Sequence, residues 1–209
     1  IPLYNEEENV GPLHERLTES LQASGLQYEI IYVDDGSKDR TLELLEKVQA
    51  SDRRVIVIGL RRNFGQTAAF AAGFDFAKGD IIVTMDADGT YPRNFIPILL
   101  DVMIDEGFDF ITCDRTGHKD KPSNWLRVFG NDVLNFFIWI LFWFRVRDSQ
   151  SGMWVFRRWI LTRLSLTSDG MAFSEEIKLE AMSQKKIIRA KELPIYYKER
   201  HGVSKLRIW

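Results

Sequence analysis

Cysteine is almost missing: Cys113 stands alone in 209 residues. A lone thiol excludes an intrachain disulfide and any multi-cysteine metal site, and it suits a reducing compartment. No sign of charge dominates, since 28 Lys and Arg face 30 Asp and Glu for a net charge of −2. That removes the global electrostatic case for nucleic-acid binding. No Gly-x-Gly-x-x-Gly opens a helix, which argues against a dinucleotide-dependent dehydrogenase. Internal repeats and low-complexity tracts are missing as well. No basic stretch followed by an apolar run opens the chain, so no secretory signal is visible. The apolar run at 133–144 has 11 apolar residues of 12. As a helix it would reach about 18 Å at ~1.5 Å per residue, short of the roughly 20 residues that span a bilayer.

What is present reads as one globular domain, with 45% hydrophobic and 28% charged residues. The sequence opens on Ile1 in the middle of a motif, so a first strand is expected to begin upstream, and both ends are expected to be cut points. Strands and helices alternate through the first half. Helices are predicted over 6–23, 39–50, 66–77 and 94–105, and strands over 28–33, 55–60, 80–85 and 108–113. In the second half a polar loop at 119–124 precedes the apolar run, and a helix is predicted near 174–183 and a strand near 187–194. Continuous apolar strands alternating with helices predict a mostly parallel, Rossmann-like α/β sheet covered on both faces. Such sheets bind ligands outside the carboxyl ends of their strands. Four polar clusters fall there: Tyr4-Asn5-Glu6, Asp34-Asp35-Gly36-Ser37, residues 61–66, and Asp86-Ala87-Asp88.

Asp86 and Asp88 follow an apolar strand at i and i+2, so their carboxylates can project to one side of an extended chain. Two hard oxygen ligands suit Mg²⁺ or Mn²⁺, which keeps its other positions for water and phosphate oxygens. The bland alternative is a solvated turn with Asp88-Gly89 at its tip. Asp34 and Asp35 end a buried strand, and a carboxylate there can accept from a base or ribose; a turn with a helix cap at Ser37 or Asp39 accounts for part of the same pattern. Tyr4 offers a flat face and Glu6 an acceptor, against a plain helix start capped by Asn5. The apolar run, with Trp139 and Trp143, is either a buried core helix or one lying in a membrane interface beside Arg145 and Arg147. The residues alone favour the buried reading.

Taken in order, Pro2-x-Tyr4-Asn5-Glu6, Val33-Asp34-Asp35-Gly36-Ser37, Arg62-Asn63-x-Gly65 and Asp86-Ala87-Asp88 resemble the inverting family 2 glycosyltransferases with their GT-A fold. Asp148-x-x-Ser151-Gly152 and Arg200-x-Gly202-x-Ser204-Lys205 extend the resemblance to the branch acting on polyprenyl (dolichyl) phosphate. It covers essentially the whole chain as one catalytic domain, with a nucleotide-sugar half at 1–115 and an acceptor half at 116–209. It implies a GDP- or UDP-hexose donor, Mg²⁺ or Mn²⁺, a lipid phosphate acceptor and the cytoplasmic face of a membrane. By matched position, Pro2, Tyr4, Glu6, Val33 and Asp35 would hold the nucleoside. Asp86 and Asp88 would hold metal and diphosphate, with Ala87 lining the site, and Arg115, Arg200 and Lys205 would meet phosphates. Thr90 departs from the Gln that some members carry as a further metal ligand. The resemblance also reverses the reading of the apolar run in favour of docking on a bilayer.

A phosphate monoester has a second pKa of about 6 and is largely dianionic at neutral pH. It needs no general base, which leaves positioning and charge stabilisation to the protein. Asp148 is then expected to organise the acceptor loop or pair with an arginine, rather than act as an obligatory base. Transfer to a saccharide hydroxyl is the alternative, with Asp148 or Glu175 as base. Remoter readings are a haloacid-dehalogenase-type phosphatase with Asp86 as nucleophile, and a degenerate transferase serving as a binding module. The sugar, the base, the oligomeric state and any transmembrane segment past Trp209 stay open.

Overall fold

A computed structural model describes residues 1–89, 91–92, 94–115, 133, 136, 140, 147–148, 151–168 and 170–195. In chain order these form β1 (Pro2–Leu3), α1 (Val10–Ala23), β2 (Ile30–Asp34), α2 (Thr41–Ser51), β3 (Val55–Gly59), α3 (Gln66–Phe76), β4 (Ile81–Thr84), α4 (Phe95–Asp105) and β5 (Phe110–Asp114). Then follow β6 (Trp154–Arg157), a 3-10 turn (Arg158–Thr162), α5 (Met171–Ser183) and β7 (Ala190–Pro194). Among the described residues the expected strands and helices are there, with ends shifted by a few residues, while most of the apolar run at 133–144 lies outside them.

The largest shift has a local cause. The first helix starts at Val10 rather than at residue 6, because Asn5 takes a left-handed φ of 52°. Residues 6–9 instead form a turn, in which the Asn9 N–H donates to the Glu6 carbonyl at 2.8 Å. Asn5 is therefore no helix cap; its side-chain carbonyl accepts the Lys38 N–H at 2.7 Å. Asp39, and not Ser37, serves the second helix by accepting the Thr41 N–H at 3.0 Å.

Two sheets carry the fold. One is parallel throughout, in the order β1-β2-β3, and the other runs β4-β6-β5-β7. In the second, β6 lies antiparallel between β4 and β5, while β7 is parallel to β5. The inserted β6 is the antiparallel strand of an otherwise parallel arrangement, as a mostly parallel sheet allows. An apolar cavity of about 380 Å³ lies between β2 and β4, walled by α1, α3 and α4. Beside it the Ile1 nitrogen donates to the Ile31 carbonyl at 2.9 Å, which continues the pairing of β1 with β2.

Alternation along the strands sends neighbouring side chains to opposite faces, and each face has its own core. Met153 and Val155 join Leu13 and Leu17 of α1 and Leu99 and Met103 of α4. Trp154 and Phe156 join Phe70 of α3 and Phe173 and Ile177 of α5. Helices thus cover both faces, which directs ligands to the strand ends.

One glycine ties two of those ends together. Gly36 has a φ of +68°, and a Cβ there would lie 2.3 Å from the Arg62 carbonyl carbon. A side chain at this point meets both the left-handed backbone penalty and another loop's main chain. Gly36→Ala should lower the unfolding free energy by roughly 2 kcal/mol or more, read from urea denaturation. An unchanged midpoint would show that the two loops can part freely.

Candidate active site

The loops after β1 and β2 are stitched to each other. The Asn5 N–H donates to Ser37 Oγ at 2.9 Å, and the Glu6 N–H to Thr41 Oγ1 at 2.8 Å. Tyr4, Asn5 and Glu6 are each partly exposed, on a backbone fixed from the neighbouring loop. Pro2 pairs with Val33 in the ladder. Val33 itself is buried, and its Cγ2 lies 3.5 Å from where a Gly73 Cβ would stand. Val33 therefore packs beneath the edge, against α3.

Both acids of the β2 end are buried, and each is held. Asp34 Oδ2 accepts the Ser37 N–H at 3.1 Å, while its Oδ1 is buried without a hydrogen-bond partner. Asp35 accepts the Phe64 N–H at 2.8 Å and the Gly65 N–H at 2.9 Å, one on each oxygen. Burial raises the Asp35 pKa, against the pull of those two donors. Asp35 thus shapes the 61–65 loop from below, and its remaining lone pairs are those open to a ligand. On that loop Arg62 lies over the Phe64 ring, 4.7 Å from its centroid.

Asp86 and Asp88 follow β4. Asp86 is partly exposed and Asp88 buried, while Ala87 belongs to the hydrophobic core. Gln66, the first residue of α3, donates its amide to Asp86 Oδ1 at 3.1 Å. Behind Asp86 stands Gly152, where a Cβ would come within 2.8 Å of Asp86 Oδ2. The bare glycine is the cradle that admits the carboxylate. The Gly152 N–H donates to the buried Tyr91 hydroxyl at 2.6 Å. Tyr91 lies within the fields of both Asp86 and Arg115, and burial pushes its pKa up. Among the described residues no three Asp, Glu, His or Cys side chains gather as a metal cluster. Two carboxylates backed by a glycine still fit a hard divalent ion that keeps several waters. Thr90 lies outside the described residues.

The acceptor half meets the same edge. Arg115, just past β5, donates Nε to Asp148 Oδ2 at 2.6 Å and Nη2 to Asp148 Oδ1 at 2.8 Å. Its backbone N–H adds a third bond at 3.1 Å. The backbone N–H groups of Arg147 and Asp148 in turn donate to Glu192 on β7. Burial works to raise the Asp148 pKa, but the Arg115 bonds outweigh it and hold the carboxyl below its usual value. Such a fork-to-fork pair gives orientation as well as energy. Glu175 is on α5 and partly exposed. Arg200 and Lys205 lie outside the described residues, as do Trp139 and Trp143. Of the apolar run, Val133, Phe136 and Ile140 are described: all three are helical and exposed.

Gln66 belongs to the 61–66 polar cluster, but its bond to Asp86, Tyr91 and the contact of Gly152 with Asp86 were not foreseen. Each joins residues distant in the chain, and no local pattern announces them. Trp154 was missed together with its strand; its Nε1 donates to the Ser151 carbonyl at 2.7 Å, which holds the Ser-Gly step in place.

An α/β sheet with acidic loops at its carboxyl edge and an antiparallel strand inserted in its second half is the GT-A arrangement. Glucosyl-3-phosphoglycerate synthase from Mycobacterium tuberculosis, solved with Mn²⁺, UDP and phosphoglyceric acid, superposes with a TM-score of 0.71 at 19% identity, over 97% of this chain and 69% of that one. The same enzyme with Mg²⁺ and UDP gives 0.67 at 19% identity, over 97% and 70%. The chain belongs to glycosyl transferase family 2, whose model matches residues 1–164. Undecaprenyl-phosphate 4-deoxy-4-formamido-L-arabinose transferase of Edwardsiella ictaluri (strain 93-146) is 39% identical over 136 residues, 65% of this chain and 41% of the relative. Its counterpart in Proteus mirabilis (strain HI4320) is 40% identical over the same length, 65% of this chain and 40% of that protein. The chain thus spans about two fifths of the length of these curated relatives.

Breaking the Arg115–Asp148 pair leaves a buried carboxylate without its partner, which typically costs about 3 kcal/mol or more. Arg115→Met should lose that much stability at pH 7. A carboxyl whose folded pKa is depressed contributes above its unfolded value of about 4, and the contribution fades as pH falls through the folded value. The gap between the two proteins should therefore narrow as pH is lowered from 7 to below about 4. A gap that stays constant over that range would show that lost packing, not charge, is responsible.

Proposed function

We propose that this domain transfers a sugar from a nucleotide-sugar donor to a polyprenyl phosphate, with inversion at the anomeric carbon and with a divalent cation bound. The observation that carries the reading is the meeting of two halves at one edge. Asp86, the candidate metal carboxylate, and the Arg115–Asp148 pair are bridged by Tyr91 and the 151–152 step. The printed names of the sequence relatives support the lipid phosphate acceptor. UDP with Mn²⁺ or Mg²⁺ in the structural neighbours supports the donor side. Those relatives carry a modified pentose, so the donor is proposed as a UDP- or GDP-activated sugar and no longer specifically as a hexose. The family match leaves the phosphatase reading without support.

Asp86 and Asp88 would hold the cation, with Gln66 and Gly152 setting the direction of Asp86. Bound there, the cation would neutralise the departing diphosphate. Tyr4, Glu6 and Asp35 would receive the nucleoside above the stitched loops. The acceptor phosphate arrives as a dianion, so the chain's work is to steer and orient it. Arg115 is its proposed guide, with Arg200 and Lys205 taken from the family motif. Asp148 organises Arg115; a carboxylate gripped by three N–H donors and held below its ordinary pKa is a poor proton acceptor. That weighs against a saccharide hydroxyl acceptor that would need Asp148 as base.

The membrane supplies the acceptor. Among the described residues no helix is long and apolar enough to cross it. Val133, Phe136 and Ile140 stand at i, i+3 and i+7, on one side of a helix, and all are exposed. We place this side against the lipid at the cytoplasmic face. Phe136→Ser with Ile140→Ser should weaken binding to anionic vesicles by roughly tenfold, read by co-sedimentation. Undiminished binding would remove the docking surface.

The enzymatic proposal is tested by assaying UDP- and GDP-sugars with Mn²⁺ and a short-chain polyprenyl phosphate. Asp88→Ala should lower turnover about a hundredfold or more. Activity near that of the unaltered chain would refute the metal assignment.

A further inference from the structure

Lys178 has no part in the site as built so far, yet among the described residues it is the one buried cation, at 1% exposure. It lies on the stripe of α5 that Phe173, Ile177 and Ala181 press into the second core. Its Nζ is 5.8 Å from the centroid of the Trp154 ring, the side chain that holds the Ser151 carbonyl. Burying an ammonium is costly unless charge compensates it. The compensating charges are those of the acceptor side: Lys178 lies in the fields of Asp148, Glu175 and Glu192, against the like charge of Arg115.

The balance around Arg115 shows what this cation does. Asp148 and Arg115 are bonded directly. Glu192 lies below, receiving the Arg147 and Asp148 N–H groups, and it feels Asp114 at the end of β5. With Glu175 from α5, three carboxylates act on Lys178 and Asp114 adds a fourth beside Glu192, while the nearby Cys113 thiol is driven up to about 12, chiefly by burial, and stays neutral. Remove Lys178, and the negative charge around Arg115 loses its buried counter-charge. A dianionic phosphate would then be repelled from the residue meant to receive it.

We propose that Lys178 is a positioning residue of the acceptor side, whose buried ammonium offsets the carboxylates around Arg115 and keeps that guanidinium effective toward an anionic phosphate. The inference rests on the proposed lipid phosphate acceptor and adds the source of its electrostatic balance. Burial lowers the Lys178 pKa to about 7, against the pull of Asp148. Its charge is therefore present in mildly acidic solution and fades as pH rises past neutrality.

Steady-state kinetics on a short-chain polyprenyl phosphate test this, with Mn²⁺·UDP binding to each variant as the control for folding. Lys178→Met should raise the acceptor KM about tenfold with a smaller change in kcat. The gap from the unaltered chain should narrow from pH 6 to pH 8, because the unaltered chain loses the same charge. Adding Glu192→Gln to Lys178→Met should recover most of the KM, since it removes one of the opposing carboxylates. Glu192→Gln alone should lower the acceptor KM, which keeps the test open if Lys178→Met does not fold. An unchanged KM in Lys178→Met, no recovery in the double variant, or a raised KM in Glu192→Gln alone would each overturn the role. If the unaltered chain shows no turnover on polyprenyl phosphate, the acceptor assignment itself has failed.

Discussion

A carboxylate at the end of a buried strand has to be held by donors from somewhere else in the chain, and this requirement shapes the edge of the sheet. Asp35 draws in the 61–65 loop through two backbone N–H groups, and Asp34 closes the turn to Ser37. Asp86 takes an amide from the start of α3, and Asp148 takes a guanidinium from the end of β5. Asp35, Asp86 and Asp148 thereby each tie their loop to a different element. The loops are not free connections that happen to be near one another. Gly36 and Gly152 are the points where this gathering leaves no space for a side chain.

The two halves of the domain share one sheet, with β6 paired to β4 and β5 and β7 paired to β5, and at its edge their contacts are specific. Ser151 and Gly152 stand against Asp86 and Tyr91 on the donor side, and Trp154 secures them from beneath. Asp148, a few residues earlier, faces Arg115. One short stretch thus touches both the candidate metal carboxylate and the candidate phosphate guide. Lys178 lies under the same stretch, so the electrostatic balance of the acceptor side is built into the core instead of being left to solvent.

Much of the frame was legible in the sequence because its signals are local. Apolar strands ending in Asp34-Asp35 or preceding Asp86-Ala87-Asp88 announce a strand and a polar loop together. The start of α1 was misread because three consecutive glutamates favour a helix start, whereas the left-handed Asn5 forces a turn first. The strand Trp154–Arg157 went unread because its partners, β4 and β5, lie far back in the chain, and only pairing identifies it. Lys178 looks like one more polar residue on a charged helix; that it is buried follows from how α5 docks on Trp154 and Phe70. The pairings of Tyr91 and Gln66 were invisible for a similar reason, since their partners are 61 and 20 residues away. Local pattern located the carboxylates, and tertiary packing alone supplied what orients them.

The account comes down to where a nucleotide's diphosphate sits relative to Asp86 and Asp88. A crystal structure of the chain with Mn²⁺ and an unreactive donor analogue measures that directly. The diphosphate oxygens and both carboxylates should share one Mn²⁺, with the base lying over the Tyr4 and Asp35 loops. A diphosphate bound elsewhere on the molecule, with the two aspartates facing only water, would contradict it.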